Sequence, residues 1–106
     1  MTNKLIIFWD LKAHLRKRYN NSVKEIILFG SQATGKSNED SDYNILILLD
    51  KEFDAMDENR IYDLCYDLDL KYNIVIDVHL ISINELSTLR GKQPIYTTAI
   101  KTGIYA

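Results

Sequence analysis

Three oxygen-bearing side chains interrupt apolar stretches in a way that suggests chemistry: Asp42 and Asn44 at the head of the run Tyr-Asn-Ile-Leu-Ile-Leu-Leu (43–49), and Asp77 inside Ile-Val-Ile-Asp-Val-His-Leu-Ile (74–81). In a strand, residues two apart point to the same side, so Asp42 and Asn44 project together. A carboxylate in an otherwise buried strand needs a cation or a hydrogen-bond partner, because burying it unpaired is costly. If the third strand lies beside the second, Asp42, Asn44 and Asp77 converge on one patch. Hard oxygen donors gathered in this way suit Mg²⁺, which also takes oxygens from a bound triphosphate. Upstream, Gly30-Ser31 ends a short strand. The glycine permits close backbone approach, the serine offers a hydroxyl, and the next turn offers N–H groups to phosphates. Lys36, in the loop beyond, is either a phosphate contact or a solvated cation.

The same stretch also spells a P-loop string, with Gly30, Gly35, Lys36 and Ser37 in the required places. A P-loop works by feeding its glycine turn straight into a helix whose first N–H groups face the phosphates. After Ser37 the chain instead reads Asn38-Glu39-Asp40-Ser41-Asp42, which has no apolar residue to seat a helix on a sheet. The parallel strands of that fold also need a crossover of about a dozen residues or more. The stretch from Ser37 to Tyr43 is too short to supply one. The P-loop reading is therefore set aside.

The elements that must hold these groups are legible from periodicity. Asn3–Tyr19 carries Leu5, Phe8, Leu11, Leu15 and Tyr19 at helical spacing, and Val23–Phe29 is a β-branched and aromatic strand that stops at Gly30. Residues 31–41 read as a polar loop, and residues 43–49 as a central strand, apolar on both faces. Phe53–Tyr72 is a second helix with Ile61, Leu64, Cys65, Leu68 and Tyr72 as its stripe. Ile74–Ile81 is the third strand. A short helix is expected over Ile83–Arg90, starting near Ser82 or Asn84, and a last helix from Pro94 to Gly103. The fold class is α/β (α+β), with a small mixed three-stranded sheet flanked by helices, in one domain over residues 1–106.

Composition bounds the function classes. The chain has 106 residues, 46% of them hydrophobic and 26% charged, with a formal net charge of −2, so no general nucleic-acid-binding surface is expected. Basic residues gather over Lys4–Lys24 and carboxylates over Glu39–Asp69, which reads as two solvated faces or, for the basic residues, as an edge for a nucleotide or partner chain. Cys65 is the single cysteine and packs as a small hydrophobe, leaving no intrachain disulfide or cysteine-rich metal site. No run reaches the length of a membrane span and no signal-peptide cleavage site is seen, so a cytoplasmic protein is expected.

The constellation resembles the nucleotidyltransferase superfamily of the DNA polymerase beta type, in its minimal bacterial and archaeal form. The resemblance rests on Leu28-Phe29-Gly30-Ser31, Ala33 and Gly35, Ser41-Asp42 before an apolar strand, and Asp77 in the third strand. The tail from Gly91-Lys92-Gln93-Pro94 to Gly103-Ile104 is also similar. The resemblance implies a polymerase-beta-like fold and transfer of a nucleoside monophosphate, AMP from ATP, to an acceptor hydroxyl, with pyrophosphate leaving. It implies two Mg²⁺ ions. Asp42 is then shared by both, Asp77 holds the ion that activates the acceptor, Asn44 is the remaining ligand, and Ser31 and the Gly30 backbone cradle the phosphates. It also implies a helical partner of the higher eukaryotes and prokaryotes nucleotide-binding (HEPN) type. In such toxin–antitoxin pairs the transferase is the antitoxin, and the acceptor is a tyrosine of the toxin. A homo-oligomer is compatible with all of this.

Two positions depart from the family pattern. Asn44 stands where the family has a second Asp, and Thr34 where an Arg is common. An Asn carbonyl can ligate Mg²⁺ but adds no negative charge, so the expectation is weaker metal binding, with one ion at risk of loss, and slower turnover. The alternative is a non-catalytic binding module or antitoxin scaffold of the same fold, working through a surface such as the Asp57–Tyr72 helix. His79 shares a face with Asp77 and reads as an ordinary strand histidine, with an acid or metal ligand as the alternative; Trp9 reads as core or interface, and Tyr62 and Tyr66 as interface or surface aromatics.

Overall fold

A computed structural model describes residues 4–19, 22–30, 43–88 and 92–105. Within them the order is α1 (Lys4–Tyr19), β1 (Val23–Phe29), β2 (Tyr43–Leu49), α2 (Ala55–Tyr72), β3 (Ile76–Ser82), a 3₁₀ turn (Ile83–Glu85), α3 (Pro94–Thr102) and β4 (Ile104–Tyr105). The strands form one mixed sheet in the order β3-β2-β1-β4. β1 runs antiparallel to β2 and to β4, while β2 and β3 are parallel. An antiparallel β1–β2 pair cannot be the strand–loop–helix unit of a P-loop, so the topology independently removes that reading.

The sheet has two different faces because its strands alternate. Ile26 and Leu28 of β1, Ile45 and Ile47 of β2, and Leu80 of β3 point to the side covered by α1 and α2. There they meet Phe8, Leu11 and Leu15 of α1 and Ile61, Cys65 and Leu68 of α2, with Ile7 joining the expected α1 stripe. Each such aliphatic or aromatic side chain contributes about 1.5–3 kcal/mol on full burial, so this side holds most of the fold's stability. Burial in apolar surroundings pushes the Cys65 thiol up to about 12. Ile27, Phe29, Leu46, Leu48 and Ile81 point to the other side, where Tyr96 and Ala99 of α3 pack onto them.

Helix α2 returns the chain so that β3 can run parallel to β2. It begins in a capping box: Asp54 accepts from the Asp57 N–H at 2.8 Å, and Asp57 accepts from the Asp54 N–H at 3.3 Å. It ends at Asn73 in the left-handed conformation, φ 54°. Asp69 then steers the exit. Its backbone carbonyl accepts from the Ile74 N–H at 3.1 Å, and its carboxylate from the Ile76 N–H at 3.0 Å, aiming β3 along β2. Burial raises the Asp69 pKa, and the Ile76 bond opposes that rise.

The structure differs from expectation in three places. The sheet gains a two-residue strand, β4, because Gly103 lets the chain turn back against β1: a Cβ there would strike the Ile27 side chain and come within 2.5 Å of the Ala99 carbonyl oxygen. The helix expected from Ile83 is only the 3₁₀ turn to Glu85, with residues 89–91 outside the described set. There the Thr88 backbone N–H and hydroxyl both donate to the Glu85 carbonyl, at 3.1 and 2.5 Å, closing a turn. Of the two readings of Trp9, core is excluded, since it is 61% exposed on the outer side of α1; the interface reading stands untouched.

Candidate functional site

The site-bearing end of the α3-covered face is built by three strands. β1 delivers Phe29 and Gly30 at its C-terminal end, β2 starts with Tyr43-Asn44, and β3 starts with Ile76-Asp77. Asn44 is the register partner of Phe29 on one side and of Asp77 on the other. Register partners share a sheet face, so Asn44 and Asp77 project side by side. His79, two residues along β3, is opposite Leu46 on that face.

Gly30 completes the corner. It has φ +78°, a conformation other residues adopt only under strain, and a Cβ on it would lie 2.8 Å from Asn44 Nδ2. The glycine backbone can therefore press against the Asn44 amide. Asp77 is well exposed, with 54% of its side chain accessible, whereas His79 is largely enclosed at 22%. The His79 ring packs on Phe29, centroids 5.6 Å apart and planes at 52°. Its Nε2 lies 3.4 Å from Asp77 Oδ2, beyond good hydrogen-bond geometry, and is buried without a hydrogen-bond partner among the described residues.

Of the residues singled out in the sequence, Gly30, Asn44 and Asp77 come together here, while Ser31, Lys36 and Asp42 lie outside the described residues. Asn44 and Asp77 present an amide and a carboxylate, oxygen donors of the hard type that Mg²⁺ takes, and Gly30 puts no Cβ against the Asn44 amide. Among the described residues, no group of three or more His, Cys, Asp or Glu could hold a metal by itself. What sequence reasoning missed is the Phe29–His79–Asp77 stack. The i, i+2 spacing puts Asp77 and His79 on one strand face, but it carries no sign of the Phe29 ring from β1.

The nucleotidyltransferase domain family model matches residues 10–102, nearly the whole chain. The chain belongs to that family. Among curated relatives of this nucleotidyltransferase domain, a Methanocaldococcus jannaschii protein with the provisional name of protein adenylyltransferase is 46% identical over 63 residues. The match takes in 59% of this chain and 58% of that protein, little more than half of each. Among solved structures, a mutant of the toxin–antitoxin MntA–HepT aligns at TM-score 0.60 and 21% identity, covering 98% of this chain and 72% of that one. A toxin–antitoxin structure with AMP-PNP aligns at TM-score 0.57 and 21% identity, covering 91% and 69%. At such identity the likeness is one of fold. The nucleotidyltransferase domain has no helix, among its described residues, long and apolar enough to cross a membrane.

Proposed function

We propose that residues 1–106 act as one nucleotidyltransferase domain that moves AMP from ATP to an acceptor hydroxyl. The acceptor oxygen forms a bond to the α-phosphorus, the α–β phosphate bond breaks, the hydroxyl proton goes to solvent, and pyrophosphate leaves. The observation that carries this reading is the pairing of Asn44 with Asp77 in register on one face, against the Cβ-free backbone of Gly30. Family membership and the protein adenylyltransferase relative support the reaction class, and the AMP-PNP in the structurally similar toxin–antitoxin supports the nucleotide.

Asp42, Asn44 and Asp77 would hold Mg²⁺. When bound, Mg²⁺ would lower the pKa of the acceptor hydroxyl and neutralise charge on the triphosphate. The chain's own residues do the rest by positioning, which dominates in-line phosphoryl chemistry. Gly30 brings backbone close to the phosphates, Ser31 gives a hydroxyl to them and Lys36 a positive charge. Asp77, exposed on the edge strand β3, would face the acceptor.

The partner proposed is a helical HEPN-type toxin, with this domain as its antitoxin in the cytoplasm and a toxin tyrosine as the acceptor. The toxin–antitoxin nature of the structural neighbours supports a toxin partner. The test is to incubate the protein with ATP labelled at the α-phosphate, Mg²⁺ and its co-expressed genomic neighbour. Label covalently attached to a tyrosine of the neighbour supports the reading; no label, even with Asn44→Asp, refutes it.

A second reading keeps the fold and drops the chemistry. Asn44 brings no charge to the metal corner, and α2 presents Tyr62, Tyr66 and Leu70 outward, with Tyr66 58% and Leu70 66% exposed. An antitoxin scaffold would use that helix. It predicts tight partner binding that is indifferent to nucleotide and to Asp77→Ala.

A further inference from the structure

We propose that His79 is a positioning residue for Asp77: its Nε2–H donates to one carboxylate oxygen and so leaves the other turned toward a divalent cation. The inference rests on the nucleotidyltransferase reading of this corner and adds a residue that the family motif does not name.

The ring has little freedom. It sits on the same strand face as Asp77, two residues along, and is enclosed on one side by Phe29 at 5.6 Å between centroids. Phe29 is itself held as the register partner of Asn44. Buried polar atoms nearly always have a hydrogen-bond partner, yet Nε2 has none among the described residues. The acceptor at hand is Asp77 Oδ2, at 3.4 Å, longer than a good N–H···O bond and not aligned as one.

The two side chains are unequal in mobility, and this decides which moves. His79 is packed, whereas Asp77 is more than half exposed and can rotate to close the gap. An ionised carboxylate accepts through both oxygens. Taking Oδ2 with an N–H therefore fixes the rotamer without consuming the oxygen a cation needs. Direct ligation by Nε2 fits less well, because that atom is buried while the exposed Asp77 carboxylate stands beside it. Partners that orient a ligating group in this way typically change metal affinity by about 10–100-fold when removed.

The probe is Mn²⁺ alone, titrated into the full chain without nucleotide and monitored by loss of the free-ion EPR signal, with thermal melting as the check on folding. Asp77→Asn should weaken binding strongly. His79→Leu, which keeps bulk and loses the N–H, should weaken it by about 10-fold. His79→Gln, whose amide reaches a similar place, should hold affinity near the parent's; His79→Asn, too short, should behave like the leucine variant. If His79→Leu does not fold, the Gln and Asn pair still decides. Parent-like affinity in His79→Leu and His79→Asn, or no recovery in His79→Gln, overturns the proposal while sparing the site if Asp77→Asn still loses Mn²⁺. A parent that binds no Mn²⁺, or that ignores Asp77→Asn, overturns both.

Discussion

Asn44 and Asp77 face each other across the only parallel ladder among the described strands, as direct register partners on β2 and β3. The amide is therefore placed where a second carboxylate would add charge without any change of backbone. Replacing Asn44 by Asp is nearly isosteric, so its effect should be electrostatic. We expect Asn44→Asp to tighten Mn²⁺ binding and to raise nucleotide transfer by about 10²–10³-fold, the size typical of a charge-stabilising contact. Single-turnover assays with labelled ATP measure it; equal rates would remove Asn44 from the account.

Gly30 should tolerate no side chain. At φ +78° an L-residue is strained, and its Cβ would lie 2.8 Å from Asn44 Nδ2. Gly30→Ala should cost about 1–2 kcal/mol from the left-handed backbone alone and displace the Asn44 amide as well. The chemical-denaturation midpoint should fall and Mn²⁺ affinity with it. A variant as stable and as metal-competent as the parent would mean that the Gly30 backbone is not pressed against Asn44.

Much of this was legible before any coordinates. Strands β1 and β2 run over the residues expected, because β-branched and aliphatic runs bounded by Gly30 and polar loops leave little choice. The closeness of Asn44 and Asp77 came from placing the third strand beside the second, and that placement was the one conditional step. What escaped was non-local or very short. β4 has only two residues and depends on the fit of Gly103 against Ile27. The helix expected after β3 is, among the described residues, the 3₁₀ turn Ile83–Glu85. His79 looked ordinary because no spacing rule shows that Phe29, far earlier in the chain, covers its ring. Ser31, Lys36 and Asp42 fall outside the described residues and stay part of the proposal.

A second electrostatic unit lies away from the site and ties the two large helices together. Asp10 of α1 accepts from Lys71 Nζ at 2.7 Å and from the Tyr72 hydroxyl at 2.5 Å, both on α2, and has His14 Nδ1 at 3.0 Å. The bond from Lys71, then that from Tyr72, holds the Asp10 carboxyl below its ordinary value. A carboxyl whose pKa is lower folded than unfolded stabilises above the unfolded value, about 3.9. That contribution fades as pH falls through the lower, folded value. Asp10→Asn should therefore lose about 1–2 kcal/mol at pH 7. The gap to the parent should narrow below about pH 4. Urea melts at pH 7 and pH 3 test this; a gap independent of pH would assign the loss to packing.

Cys65 offers a direct reading of how tightly α2 is seated. The thiol is 2% exposed, packed with Ile61 and Leu68, and burial pushes its pKa up to about 12, with the Asp69 carboxylate adding to the rise. The thiolate is the reactive species. At pH 8 the folded protein should therefore react with a thiol reagent far more slowly than the unfolded chain does. Labelling should need α2 to open, since both burial and protonation protect the sulfur. Its rate should then rise with denaturant in step with unfolding, and Asp10→Asn, by loosening the α1–α2 clamp, should speed it under native conditions. Labelling at the rate of a free cysteine in the native protein would show that α2 does not cover the sheet as described, and the path that brings β3 parallel to β2 would fail with it.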